Sequence, residues 1–369
     1  MEKRNPKIII SGGGTGGHIF PAISIADALR RAMPSCEILF VGALGRMEMD
    51  RVPAAGYKIV GLPVAGFQRR LTWKNLSFFY RLAASMIKAR QVIRSFRPDV
   101  AVGVGGYASG PVLRAAAAAG VPTVLQEQNS FPGVTNRILS KKAAAICVAY
   151  PEMERFFPAE KIIFTGNPVR STLTQNLNLQ EAYAEFGLDP SLPTILVIGG
   201  SLGAGSINRG MLERIELVRG RKVQVLWQTG RNYHENIQRE LLPMGLSNVK
   251  VLPFISRMDF AYGIADVVVS RAGASSISEL ALLGKASILV PSPNVAEDHQ
   301  TKNAMALVDK SAAILVRDAE AGEKLLPEAL RLLDEQDLRK DLSNNIRLFA
   351  RPNADRDIAE EVLKLCGIE

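Results

Sequence analysis

Five glycines, a threonine and a histidine stand close together near the start of the chain, in SGGGTGGHIFPA at residues 11–22. The apolar run Ile8 to Ile10 precedes this segment and ISIADALRRA follows it, a pattern that predicts a strand, a tight turn and a helix. Free N–H groups at the start of such a helix favour anions. His18, at the predicted helix start, can accept a proton from a substrate hydroxyl near neutral pH. We therefore expect a phosphate-bearing ligand here, with His18 as the candidate catalytic base; a helix-capping or packing role is the alternative.

The spacing of Gly12, Gly14 and Gly17 satisfies the G-x-G-x-x-G pattern of dinucleotide-binding enzymes, so a nicotinamide-dependent oxidoreductase is one alternative. Such a fold places an acidic residue at the end of the second strand, where it binds the ribose hydroxyls. Here that end reads FVGA, and Glu37 stands at the beginning of the strand. The pattern thus favours a site for a phosphate-bearing ligand other than a nicotinamide dinucleotide. A tightly packed turn that binds no ligand is the alternative.

Further glycine-rich or polar turns follow other predicted strands. They are GVGGYASGP at 103–111, QEQNSFPGVTNR at 126–137, GGSLGAG at 199–205 and EDHQTKNA at 297–304. After the strand that ends at Ser270, a helix is predicted to begin near Ala274. Its Ser275 and Ser276 suit a diphosphate and Glu279 suits the two hydroxyls of a ribose, while ordinary capping is the alternative.

The net positive charge of the chain comes entirely from its first half, because the second half holds more acidic than basic residues. Residues 1–168 hold 22 Lys and Arg against 10 Asp and Glu, and residues 51–98 hold ten basic residues and no acidic one. Within this block, aromatic and basic side chains are mixed, which is typical of docking on an anionic membrane surface. An amphipathic helix with its apolar face in the core is the alternative, and no nucleic acid is expected because no reader motif accompanies the charge. The expected membrane contacts are Trp73, Lys74, Phe78, Phe79 and Arg81.

Strands alternate with helices along both halves of the 369-residue chain, which predicts two Rossmann-like α/β domains with a cleft between them. We expect an N-terminal domain at 1–167, a C-terminal domain at 168–351 and a terminal helix at 352–369 that packs back on the first domain. No secretory signal or membrane-spanning run is apparent, so a cytosolic location is expected. The cysteines are isolated and DRD at 355–357 is interpreted as a helix start, so neither disulfide nor metal is expected.

Taken together, GGGTGGHIFPA, GVGGYASGP, EQNSFPGVTNR, TGNPVR, GGSLGA, SRAGASSISEL and DHQTKNA resemble the MurG family of bacterial glycosyltransferases along essentially the whole chain. The resemblance implies a GT-B glycosyltransferase fold and inverting transfer of N-acetylglucosamine (GlcNAc) from UDP-GlcNAc. The acceptor would be the C4 hydroxyl of N-acetylmuramic acid (MurNAc) in undecaprenyl-pyrophosphoryl-MurNAc-pentapeptide (lipid I), giving lipid II for peptidoglycan. No cofactor is implied.

The resemblance also implies site residues. UDP-GlcNAc would contact Thr15, Gly16, Gly17, Asn129, Arg170, Ser201, Ile255 (through its backbone), Ala274, Ser275, Ser276, Glu279 and Gln300. The acceptor pyrophosphate is expected at Gly13, Gly14, Gly105, Gly106 and Tyr107. His299 stands where many relatives have a glutamine. The implied location is the cytoplasmic face of the inner membrane, with cell-wall synthesis and division proteins as potential partners. A transferase with another lipid acceptor and a non-catalytic membrane-docking protein remain alternatives.

Overall fold

The computed structural model describes residues 5–14, 16–64, 74–170, 173, 177–200, 202–295 and 298–368, with the backbone alone at 74–79. The chain forms two compact units. The first comprises residues 1–170 together with 351–369, and the second comprises residues 171–350.

The first unit is built on a parallel seven-stranded sheet with helices in the connections. In chain order its elements are β1 (Lys7–Ser11), α1 (Gly16–Ala32), β2 (Glu37–Ala43), α2 (Glu48–Ala54), β3 (Lys58–Leu62), α3 (Lys74–Phe96), β4 (Val100–Gly103), α4 (Ser109–Ala118), β5 (Thr123–Glu127), α5 (Val134–Ser140), β6 (Ala145–Val148) and β7 (Ile162–Phe164). The strand order is β3-β2-β1-β4-β5-β6-β7. The order therefore reverses between β1 and β4, and ligands of doubly wound sheets bind beyond the carboxyl ends of the strands at such a point.

The second unit repeats the plan with six parallel strands. Its elements are α6 (Leu179–Phe186), β8 (Thr194–Ile198), α7 (Gly205–Arg214), β9 (Gln224–Gln228), α8 (Arg231–Leu241), β10 (Val249–Leu252), α9 (Met258–Ile264), β11 (Val267–Ser270), α10 (Ala274–Leu283), β12 (Ser287–Leu289), α11 (His299–Val308), β13 (Ile314–Leu315), α12 (Ala321–Asp334) and α13 (Gln336–Arg347). The strand order is β10-β9-β8-β11-β12-β13, so this sheet reverses between β8 and β11.

A last helix, α14 (Ala354–Leu365), belongs to the first unit. Its buried Ile358 and Val362 share a core with Ile25 of α1, and Arg31 forms an ion pair with Asp355 at 2.6 Å. The chain enters this helix beside Gly166, whose φ is +87° and where a Cβ would lie 2.3 Å from the Cβ of Arg351. The close approach explains why a glycine stands there.

Hydrophobic burial on both faces accounts for the apolar runs that form the strands. In β1, Ile8 and Ile10 point to the core beneath α1 and α14, whereas Ile9 points to the core beneath α3 and α4. A strand buried on both faces reads as a continuous apolar run rather than an alternating one. The prediction of two Rossmann-like domains is confirmed. The sequence analysis did not identify the strands β3 and β7, and α1 begins at Gly16, two residues before His18.

Candidate functional site

In the first unit, three turns follow the carboxyl ends of β1, β4 and β5. We call them the first glycine loop (Gly12–Gly14), the second glycine turn (Val104–Ala108) and the amide loop (Gln128–Gly133). The first two touch each other, because a Cβ on Gly106 would lie 2.2 Å from the carbonyl oxygen of Gly13. The buried Ser109 hydroxyl lies 2.7 Å from the Ser11 carbonyl and 2.8 Å from the Gly105 carbonyl, which holds the turns at a set distance.

His18 lies in the first turn of α1 and packs against the second glycine turn. A Cβ on Gly105 would lie 2.8 Å from Nε2 of the imidazole and 2.7 Å from Cδ2. Gly105 has φ +91° and Gly106 has φ +85°, values that favour glycine strongly over residues with a side chain. The structure therefore brings together four of the glycines predicted for the acceptor, Gly13, Gly14, Gly105 and Gly106, with His18 beside them. Tyr107, the next predicted contact, is 55% exposed.

A buried carboxylate that the sequence analysis missed lies under the first glycine loop. Glu48, five residues beyond β2, accepts hydrogen bonds from the N–H of Gly14 at 3.0 Å and from the N–H of Ala43 at 2.9 Å. A dinucleotide-binding enzyme would use an acidic residue near this strand end for ribose hydroxyls. Both oxygens of Glu48 instead accept backbone hydrogen bonds, so its contacts do not support that alternative.

The amide loop is organised around Glu127, which is buried. Its carboxylate accepts hydrogen bonds from the backbone N–H of Asn129 at 3.0 Å, from the Asn129 side chain at 3.2 Å, from Gly133 at 3.3 Å and from Asn136 at 2.8 Å. Burial raises the pKa of Glu127, and these donated hydrogen bonds act against the rise. Glu127 therefore sets the conformation of the predicted sugar contact Asn129.

Three other predicted donor contacts of this unit lie at the start of α1 and at the end of the segment 1–170. Gly16 and Gly17 open the helix. The guanidinium of Arg170, an exposed side chain, lies over the Phe20 ring at 5.7 Å from its centre. Thr15 lies outside the described residues, as does Ser201 of the second unit.

In the second unit, α10 begins directly beyond β11, where the strand order reverses. Ala274, Ser275 and Ser276 form its first turn, so their backbone N–H groups lie at the positive end of the helix dipole. The hydroxyl oxygen of Ser275 is buried and has no hydrogen-bond partner among the described residues. Because its N–H groups and the helix dipole attract anions, such a turn can bind a phosphate without a metal ion.

Glu279 lies one turn further along α10 and is buried. The hydroxyl of the fully buried Tyr262 donates a hydrogen bond to Oε2 of Glu279 at 3.1 Å. Gln300, in the first turn of α11, accepts a hydrogen bond from the backbone N–H of Ser292 at 2.8 Å through its Oε1. His299 is the first residue of α11.

The predicted uracil contact, Ile255, is buried and follows β10. Its backbone N–H donates a hydrogen bond to Oε1 of Gln228 at 2.8 Å, and Nε2 of the same amide donates to the carbonyl of Gly200 at 2.9 Å. Gln228 thereby connects the turn after β8 with the turn after β10. The N–H of Ile255 already donates to Gln228, so a contact with the uracil would use the carbonyl of Ile255 as an acceptor.

A second supporting group behind this site is Arg271, between β11 and α10. Its guanidinium pairs with Asp318 and donates to the Val290 carbonyl at 3.0 Å and to the Ser206 hydroxyl at 2.9 Å. The sequence signal for Glu48, Gln228 and Arg271 was no more than a polar residue near a strand end. Their roles come from partners distant in the chain.

The predicted membrane segment lies on α3 and the residues before it. Trp73 lies outside the described residues, as do the side chains of Lys74, Phe78 and Phe79. Arg81 of α3 is exposed, and on the same helix Tyr80 is 77% exposed and Ile87 65% exposed. No helix of the described part of the chain is long and apolar enough to cross a membrane. Within the same residues, no three His, Cys, Asp or Glu side chains cluster as a metal ion would require.

Comparisons with known proteins match this arrangement. The family model of the glycosyltransferase family 28 N-terminal domain matches residues 8–148, and that of the glycosyltransferase family 28 C-terminal domain matches residues 194–362. A protein from Parabacteroides distasonis named UDP-N-acetylglucosamine--N-acetylmuramyl-(pentapeptide) pyrophosphoryl-undecaprenol N-acetylglucosamine transferase is 57% identical, over 98% of this chain and 99% of its own length. A relative of the same name from Bacteroides thetaiotaomicron is 56% identical over the whole of both chains.

Among solved structures, the crystal structure of MurG from Acinetobacter baumannii superposes with a TM-score of 0.79 at 28% identity, over 97% of this chain and 99% of that one. Identity above 50% along nearly the full length covers the glycine-rich turns of both units. The chain therefore belongs to the MurG family of N-acetylglucosamine transferases.

Proposed function

We propose that the chain catalyses transfer of GlcNAc from UDP-GlcNAc to the C4 hydroxyl of MurNAc in lipid I, with inversion, to form lipid II. The observation that carries this proposal is the 57% identity, over 98% of the chain, to a relative whose name states an N-acetylglucosamine transferase acting on N-acetylmuramyl-(pentapeptide) pyrophosphoryl-undecaprenol. The residues described above supply the chemistry for each step.

His18 is the proposed catalytic base. The C4 hydroxyl of MurNAc attacks the anomeric carbon of GlcNAc, and its proton passes to the imidazole as the new carbon–oxygen bond forms. A base positioned in this way contributes about 10²- to 10⁴-fold to the rate. The packing of His18 against Gly105 supports the role, because it orients the ring beside the proposed acceptor loops.

The bond between the anomeric carbon and the diphosphate breaks in the same step, and UDP leaves with the electron pair. The first turn of α10, with Ala274, Ser275 and Ser276, meets the charge that develops on the diphosphate, and Arg170 and Ser201 are further candidates. The unpartnered Ser275 hydroxyl supports this assignment, since a bound phosphate would give it a partner.

We assign the other donor contacts as the resemblance to the MurG family implies them. The carbonyl of Ile255 accepts from the uracil, and Glu279, oriented by Tyr262, accepts from the ribose hydroxyls. Gln300 and Asn129 bind the sugar, with Thr15, Gly16 and Gly17 lining its pocket. The pyrophosphate of the acceptor binds at the first glycine loop and the second glycine turn, near Gly13, Gly14, Gly105, Gly106 and Tyr107.

We also propose that α3 and the residues before it seat the protein on the cytoplasmic face of the inner membrane. Ten basic residues and no acidic one lie in residues 51–98, and α3 exposes Tyr80, Arg81 and Ile87. Positive charge near an anionic surface contributes about 1 kcal/mol per Lys or Arg. Docking there would bring the chain to a lipid-linked acceptor.

The first experiment is transfer of labelled GlcNAc from UDP-GlcNAc to a lipid I analogue, with EDTA present, by the wild type and by His18→Ala. We expect transfer by the wild type and a loss of at least 100-fold in kcat in the variant, with the affinity for UDP-GlcNAc unchanged. A folded wild type that binds UDP-GlcNAc without transferring the sugar would indicate another acceptor. Failure to bind UDP-GlcNAc would overturn the glycosyltransferase assignment itself.

A further inference from the structure

Glu48 lies beneath the first glycine loop with both carboxylate oxygens hydrogen-bonded to backbone. Its side chain is 1% exposed, Oε2 accepts from the N–H of Gly14 and Oε1 accepts from the N–H of Ala43. A buried carboxylate is stable only where donors satisfy it, and here the donors come from two separate segments. The side chain thus joins the end of β2 to the turn after β1.

Two glycines make room for this side chain. A Cβ on Gly13 would lie 2.2 Å from Oε1 of Glu48, and a Cβ on Gly42 would lie 2.6 Å from its Cγ. The Glu48 side chain therefore lies between the first glycine loop and β2. It leaves no space for a side chain at Gly13 or at Gly42. The space that Glu48 occupies is thus sufficient reason for a glycine at positions 13 and 42, whether or not a ligand also requires one at position 13.

The position of the first glycine loop in turn fixes its contacts with the second glycine turn. Gly13 is the residue that Gly106 approaches, and the neighbouring Gly105 packs against His18. A displacement of Gly13 would therefore reach the proposed base and the proposed phosphate-binding residues together.

We propose that Glu48 is a positioning residue for the acceptor side of the reaction, acting through the first glycine loop and touching no substrate. The inference rests on the proposed function and adds one refinement to it. The N–H of Gly14 is held by Glu48, so the pyrophosphate of the acceptor is bound by other N–H groups of the two glycine turns.

The test is a kinetic comparison of the full chain with Glu48→Gln, varying the lipid I analogue and UDP-GlcNAc separately. The amide keeps one oxygen but turns an NH₂ towards either Gly14 or Ala43, so one backbone donor loses its acceptor. We expect kcat/KM for the acceptor to fall at least tenfold while the KM for UDP-GlcNAc stays within twofold. Glu48→Asp keeps the charge with a shorter reach and should recover part of the loss.

The matched control is Glu37→Gln, at the first residue of β2, where the carboxylate is exposed and pairs with Lys7 at 3.4 Å. It should leave both kinetic constants unchanged. Unchanged acceptor kinetics in a folded Glu48→Gln variant, or an equal rise in the KM of donor and acceptor, would overturn the proposal. Should Glu48→Gln not fold, the same criterion applies to Glu48→Asp. A wild type that fails to transfer GlcNAc would instead contradict the proposed function.

Discussion

Replacing Gly106 with alanine should push the two glycine turns apart and impair transfer. The new Cβ would lie 2.2 Å from the carbonyl oxygen of Gly13 and 3.0 Å from its nitrogen, at a residue whose φ is +85°. An ordinary contact of a Cβ begins at 3.4 Å, so relief requires a shift of about 1 Å between the turns. Both are backbone segments, and no side chain can rotate away to absorb the shift.

Two costs add up in this variant. Placing a side chain at positive φ costs about 1–2 kcal/mol, partly offset by about 0.4–1 kcal/mol from the lower entropy of the unfolded chain. Forcing an extra carbon into a packed contact costs about 1–3 kcal/mol more. We therefore expect the free energy of unfolding to fall by about 2–4 kcal/mol. A misplacement of about 1 Å at the reacting groups lowers kcat/KM on the order of 100-fold.

Gly120→Ala provides the matched control. Gly120 has φ +76° but nothing within 4 Å of a new Cβ, so it bears the conformational cost without the clash. It should lose at most about 1.6 kcal/mol and retain full activity. Urea denaturation followed by circular dichroism measures the first quantity for both variants, and transfer of labelled GlcNAc to a lipid I analogue measures the second.

The prediction is contradicted if Gly106→Ala is no less stable than Gly120→Ala and transfers GlcNAc at the wild-type rate. That result would mean that the two turns separate freely, and that their contact does not fix the position of His18. Loss of activity in both variants to the same extent would also contradict it, because the clash would then be irrelevant.

Three further outcomes are expected. Glu127→Gln should lower the free energy of unfolding by about 1–3 kcal/mol, since an NH₂ group would face backbone and side-chain donors of the amide loop, and calorimetry of the variant tests this. Burial lowers the pKa of Lys285 to about 8, so between about pH 8 and 10.5 the folded chain binds fewer protons than the unfolded one. The free energy of unfolding should therefore rise with pH across that window. Denaturation measured at several pH values should show this rise in the wild type and not in Lys285→Met. Burial raises the pKa of Cys147 to about 12, so this thiol should resist iodoacetamide at pH 8 in the folded chain and react after unfolding, as mass spectrometry of the alkylated peptide would reveal.

Local patterns in the sequence were sufficient for the architecture. Each strand buried on two faces is an apolar run bounded by Gly, Pro or charge, as in KIII and TILVI, and burial of such runs requires helices on both sides of a sheet. The same patterns placed the glycine turns at the carboxyl ends of strands. The strands β3 and β7 were missed because both are partly exposed and β7 has only three residues, which leaves little continuous apolar signal.

The tertiary structure decided which polar groups serve the site and which support it. Glu48 and Gly14 lie 34 residues apart, and Gln228 and Ile255 lie 27 apart, so no local pattern could pair them. The sequence marked Glu127 as a polar strand end; the fold surrounds it with donors from its own loop, which makes it a support for Asn129. Residue types and local spacing were therefore sufficient to predict the fold class, the positions of the glycine turns after strands and the position of His18 at a helix start. They were sufficient because backbone conformation and burial depend on short stretches of sequence. The supporting contacts depend on packing between distant segments, which only the folded chain brings together.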